Sequence, residues 1–167
     1  MGRNRRYTAI SLLPTPDSLR FHLVDHVLLV VHADFPPDDG DWQRLVLVRD
    51  ANRLKIRGIL VVAPPRASIS AEQRASVARF LKENDARAAV ITDSALIRGV
   101  ALAVGLFGVQ VRAFAPSSLV SALDYLQFSQ ARHAEMERLI ESLKKQLSQP
   151  QTAPDRPTSG SLRPSVC

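Results

Sequence analysis

The stretch Val27–His32, which reads Val-Leu-Leu-Val-Val-His, constrains the fold more than any other part of the chain. A short, continuous apolar run of this kind is expected of a strand buried on both faces, and such burial requires helices above and below a sheet. Aromatic residues make up only 5% of the sequence, so the core must be built from Val, Leu, Ile and Ala. Those are the residues of a parallel sheet covered by helices.

Neighbouring segments extend the pattern. Residues 21–24 precede the run across Asp25-His26, a turn that would make the two segments a hairpin. Residues 59–62, 88–92 and 109–114 are three further strand candidates. Helical signals separate them. Asp38, after Pro36-Pro37, is placed to cap a helix whose first turn carries Asp39 and Asp41, with Trp42, Leu45 and Val46 on one face. Ser70-Ala-Glu-Gln73 matches a capping box and leads to an apolar face of Val77, Phe80 and Leu81. Asp93-Ser94 caps a third helix, residues 95–106, which is apolar almost all round and therefore expected to be well buried. Pro116-Ser117-Ser118 opens a short fourth helix carrying Leu119, Leu123 and Leu126. Helices between strands imply right-handed crossovers. The predicted fold is therefore α/β: a small, mostly parallel sheet of four or five strands with covering helices and an extra C-terminal helix.

The chain is expected to divide into an N-terminal arm (1–19), the α/β domain (20–127), an amphipathic helix (128–148) and a disordered tail (149–167) rich in Pro, Ser, Thr and Gln. In the amphipathic helix Met136, Ile140, Leu143 and Leu147 are spaced four, three and four apart, the spacing of a coiled-coil seam. Two uses of that seam stay open, a homodimer and packing back onto the domain.

The net charge of +6 is unevenly placed. Arg3, Arg5 and Arg6 carry three of these charges and the tail nets one, from Arg156 and Arg163 against Asp155, which leaves the body at +2. Nucleic-acid binding is therefore not the expectation, although a basic arm is compatible with it. The only cysteine, Cys167, is the last residue, which excludes an internal disulfide and a cysteine-based metal site and fits a reducing cytoplasm. It stands last, not fourth from the end, so it is not a prenylation box. The apolar runs are too short to span a bilayer, and the residues after the basic start are too few and too polar for a secretory signal. The expectation is a cytoplasmic chain with no membrane span.

Catalytic signatures are absent from the sequence: no phosphate loop, Gly-x-Gly-x-x-Gly turn, Gly-x-Ser-x-Gly elbow or His-Glu-x-x-His helix occurs. His133-Ala-Glu-Met-Glu137 lacks the second histidine, and Asp38, Asp39 and Asp41 lack the alternation and distal Glu of a calcium loop, so helix capping explains them better. No cofactor, metal or catalytic residue is predicted. His32 reads as a satisfied strand-end histidine. Ligands of parallel sheets gather beyond the carboxyl ends of the strands. Three loops should meet there if their strands are neighbours: His32-Ala-Asp34, residues 64–70, and Thr92-Asp93-Ser94. The candidate partner- or ligand-binding residues are Arg66, Ser68, Ser70, Asp93, Ser94 and Arg98. Two of these loops lead into helix N-termini, which attract anions. Arg98 sits early in an apolar helix, where the dipole disfavours a cation. A structural contact to Asp93 or a carbonyl, a docked partner and a bound small anion are three readings of it.

The element order resembles the STAS domain of anti-sigma factor antagonists and its SEC14-like bacterial relatives over residues 20–127. The local phrases that carry the resemblance are Val27-Leu-Leu-Val-Val-His-Ala33 with Pro36-Pro37 and Trp42, Ile59-Leu-Val-Val-Ala-Pro64 leading to Ser70-Ala-Glu-Gln-Arg74, and Ala89-Val-Ile-Thr-Asp-Ser94 with Arg98. The resemblance implies a regulatory, non-enzymatic module that docks a partner protein, with Ser68 and Ser70 matching the stretch that a kinase modifies in some members. Pro64-Pro65-Arg66-Ala67 replaces the Asp-Ser-Ser/Thr-Gly phrase of those members, so capping and turn formation are the preferred roles of both serines. The alternative function is a domain or minor enzyme that takes a small anion or lipid in the crevice near Arg98.

Overall fold

A computed structural model describes residues 17–148 apart from residue 107. The arginines of the arm, the tail from residue 149 and Cys167 lie outside the described residues. In chain order the elements are β1 (Leu19–Val24), β2 (Val27–His32), α1 (Asp39–Ala51), β3 (Gly58–Val62), α2 (Ala71–Glu83), β4 (Arg87–Ile91), α3 (Ala95–Gly105), β5 (Gln110–Phe114), α4 (Leu119–Tyr125) and α5 (His133–Ser148). Short 3-10 turns, Pro116–Ser118 and Gln130–Arg132, precede the last two helices.

The five strands form one sheet in the order β1-β2-β3-β4-β5, antiparallel in the β1–β2 hairpin and parallel thereafter. Val27, Gly58, Arg87 and Gln110 stand in register at one edge, and Val31, Val62, Ile91 and Phe114 at the other, so the carboxyl ends of the parallel strands form a common rim. Because spatial order follows sequence order, three successive right-handed crossovers lay α1, α2 and α3 on the same face. That face carries Leu28, Val30, Ile59 and Ala88 against Leu45, Phe80 and Leu81 of the helices. The opposite face carries Leu29, Val31, Leu60, Val62, Ala89 and Ile91, and α4 and α5 cover it.

The predicted helix starts are found in detail. Asp38 caps α1 by accepting from the Asp41 N–H (2.8 Å), and Ser70 and Gln73 form both halves of the capping box of α2. Two helix ends are closed by non-glycine residues in the left-handed region, Asp85 (φ 48°) after α2 and Gln127 (φ 58°) after α4. In each case the next amide bonds back across the last turn, Ala86 N–H to the Leu81 carbonyl and Phe128 N–H to the Leu123 carbonyl, both at 2.9 Å. This is the Schellman closure, and it drives Ala86 and Phe128 into the core.

Two expectations need correcting. First, α3 is not well buried: Ala101 is its only buried residue, while Leu96 and Leu102 are 77% and 74% exposed. Its sequence is apolar all round, but it lies beside the edge strand β5 with no further layer to cover its outer side. Second, the α5 seam is not free for a homodimer. Met136, Ile140 and Leu143 are buried in the core beneath the sheet, with Leu147 packed against that core. Arg132 fastens the start of α5 to the hairpin turn through Asp25, and its guanidinium also holds Glu135 at 2.8 Å. The seam packs onto the sheet because that sheet face has no other cover beyond α4.

Met136→Ala is therefore expected to lower the free energy of unfolding by about 2–5 kcal/mol in urea titrations. Light scattering on the folded variant should show no change of oligomeric state, since the seam is spent within the chain.

Candidate functional site

The three loops predicted to converge do share the carboxyl rim, because β2, β3 and β4 are parallel neighbours. The Arg66 N–H donates to Asp34 Oδ1 at 2.9 Å, tying the first loop to the second. The candidate residues at the rim have distinct local roles. Ser70 and Ser94 are helix caps whose hydroxyls accept from the Gln73 and Ile97 N–H groups. Arg66 is exposed, with its guanidinium 3.9 Å from Asp34. Ser68 is exposed and stands at the lining of a cavity, whereas Asp93 and Arg98 are exposed and outside it. No ion pair joins Arg98 to Asp93 among the described residues.

The aspartates before and within α1 are structural. Asp41 is buried and accepts from both the N–H and the hydroxyl of Ser18 at 2.6 Å, while the Asp38 N–H donates to that hydroxyl at 2.9 Å. Arg44 also bonds Asp41. This cluster fixes the start of β1 to the start of α1. Among the described residues no group of three or more His, Cys, Asp and Glu is arranged to hold a metal ion, and no helix is long and apolar enough to cross a membrane.

The feature that sequence reasoning missed lies between the sheet and the crossover helices. A cavity of about 400 Å³ opens there, floored by Leu28, Val30, Ile59, Val61, Ala88 and Val90 and roofed by α1, α2 and α3. Its origin is visible in the burial pattern. On the α4–α5 face the central residues Leu60 and Ala89 are fully buried, but their neighbours Val61 and Val90 on the opposite face are only half-buried. Helix α2 has buried residues only at Phe80 and Leu81, near its end, and α3 only at Ala101, so both stand off the sheet elsewhere. Small side chains, Ala63, Ala67, Ala88 and Ala101, line the gap. Its size falls within the range of about 300–1,000 Å³ typical of small-molecule sites.

Two polar side chains are embedded in this apolar wall. Arg49, 7% exposed, projects from α1, donates to Asp50 (2.8 Å) and the Ser76 hydroxyl (3.1 Å), and lies 4.9 Å over the Phe80 ring. His32 ends β2 and is 8% exposed. Contrary to the expectation of a satisfied histidine, its Nδ1 is buried with no hydrogen-bond partner among the described residues. Burial pushes its pKa down to about 4, so the ring is neutral at physiological pH. Alternation along β2 places His32 on the same face as Leu28 and Val30, a signal readable from the sequence. The stand-off of the helices is not encoded in any such pattern.

No family model matches the chain, and no curated protein matches it. Function rests on the site itself.

The His32 pKa is lowered on folding, from 6.5 to about 4, so the unfolded chain binds more protons between those values. The stabilising contribution of the neutral ring is full above pH 6.5 and lost as pH falls toward 4. Over that window the wild type should lose on the order of 3 kcal/mol more than His32→Phe. Chemical denaturation at a series of pH values measures the difference; equal slopes for the two proteins would refute it.

Proposed function

We propose that this chain is a non-enzymatic binding domain that takes a small apolar molecule in the cavity between its sheet and the crossover helices. The observation that carries the reading is the unfilled, aliphatic space over Val61 and Val90. Protein interiors are close-packed, and a gap of this size forfeits contacts on every side unless something occupies it. Aliphatic lining with few polar groups selects an aliphatic occupant. Among the described residues no nucleophile is paired with a base around the cavity, which supports binding without turnover. The resemblance to SEC14-like relatives of the STAS family is compatible with a lipid-like ligand, and the element order of residues 20–127 supports that kinship.

N-phenyl-1-naphthylamine, an uncharged fluorescent probe, is expected to bind with a blue-shifted, enhanced emission. Val61→Phe, which fills the floor of the cavity, should weaken probe binding by about tenfold or more while leaving the melting temperature unchanged or higher, because added volume there meets space. A wild-type protein that leaves the probe in water, or a Val61→Phe variant that binds it equally well, would remove the reading.

A second reading, a STAS-like regulatory module that docks a partner protein at the carboxyl rim, is favoured by α3. Leu96 and Leu102 are exposed on the helix that also presents Arg98, a cation with no acidic partner among the described residues. Exposed apolar side chains beside such a cation are common at docking surfaces. Affinity capture with wild type and with a Leu96→Glu/Arg98→Ala double variant tests it. A specific partner held by the first and lost by the second is the expected result, and identical recovery from both counts against it.

A further inference from the structure

The cavity has one polar anomaly, and it concerns what its occupant must look like. His32 lies four residues along β2 from Leu28, about 13 Å at the rise of a parallel strand, and both side chains line the cavity. The space is therefore elongated along the strands, with the histidine toward the carboxyl rim and Leu28, Ala88 and Val111 at the other end. The basic groups of the lining are already engaged. Arg49 is held by Asp50 and Ser76, and Arg74 donates to the Ile69 carbonyl at 2.7 Å. The His32 imidazole is different: it is more than nine-tenths buried, and its Nδ1 has no partner among the described residues. A buried nitrogen left unpaired is costly, and natural structures retain few such groups without a ligand or water to satisfy them.

Resting on the apolar-ligand reading above, we infer that His32 hydrogen-bonds the single polar group of the ligand, and that the ligand is an uncharged amphiphile: an aliphatic chain carrying one hydroxyl or carbonyl. The chemistry follows from the site. A neutral imidazole offers one donor and one acceptor nitrogen, which suits a hydroxyl in either direction and a carbonyl in one. A fatty carboxylate would bring a charge into an aliphatic space where both neighbouring guanidinium groups are committed and the imidazole is uncharged, and an unpaired buried charge is far more costly than an unpaired nitrogen.

The test is competition of three probes, 1-octanol, octanoate and octane, against N-phenyl-1-naphthylamine on the full chain. It is joined to nitrogen-15 NMR of the histidine rings in the wild type. Octanol should displace the probe best. His32→Phe should weaken octanol by about five- to tenfold, the worth of one hydrogen bond, and leave octane and the naphthylamine unaffected. In the wild type, octanol but not octane should shift the His32 ring nitrogens while the ring stays neutral. If the naphthylamine binds but octanoate competes best, the inference is overturned and the cavity reading stands. The inference is overturned in the same way if the octanol-to-octane ratio survives in His32→Phe, or if octanol displaces the probe without moving the His32 resonances, as when water alone satisfies the ring. Failure of the naphthylamine itself to bind overturns both. The ring resonances are read in the wild type, so the outcome is decided even if His32→Phe fails to fold.

Discussion

The handedness of the strand–helix–strand crossover governs this molecule. A sheet whose strands follow one another in space as they do in sequence cannot alternate its right-handed connections between faces. All three crossover helices fall on one side, and the aliphatic row of the other side would meet water. The chain after β5 resolves that imbalance. Helices α4 and α5 return beneath the sheet and bury Leu29, Leu60, Ala89 and their neighbours. What reads in sequence as an added helix is structurally the second half of the core.

The two faces solve their packing differently. Beneath the sheet, α4 and α5 present Leu123, Leu126, Met136 and Ile140, all deeply buried, and leave the central strands no open space. Above it, the crossover helices are tethered by their short connections to successive strands, and each can bury only the residues that this path brings down. Helix α1 reaches the sheet with Leu45, α2 with Phe80 and Leu81, and α3 with Ala101. With few aromatic side chains to reach across the remaining distance, the gap persists. The cavity is thus a product of topology together with composition.

Much of the fold was legible in the residues. The strands, the hairpin, the capping box at Ser70 and the caps at Asp38 and Ser94 follow from local chemistry, and local chemistry is what sequence displays. The site was legible only in part. Convergence of the rim loops followed from neighbouring parallel strands, but the cavity depends on how far α2 and α3 stand from the sheet, a long-range quantity with no periodic signature. Arg49 shows the difficulty. A cation in the middle of α1 looks like a solvated residue, and only the spatial meeting of Ser76 and Phe80 makes its burial tolerable. The α5 seam misled in the opposite sense, since a four-three-four spacing marks an apolar stripe without saying whether another chain or its own sheet will cover it. For α3, apolarity suggested depth, whereas its position beside the edge strand decided exposure.

The loose seating of α3 has one more consequence. Leu96, Ile97, Val100 and Val104 reach toward the cavity from a helix that buries a single alanine of its own. Whatever fills the space becomes the missing counter-surface of that helix, so occupancy and the helix's attachment are thermodynamically linked. The same segment turns Leu102 and Arg98 to the outside. Inner cargo and outer surface thus share one rod of eleven residues.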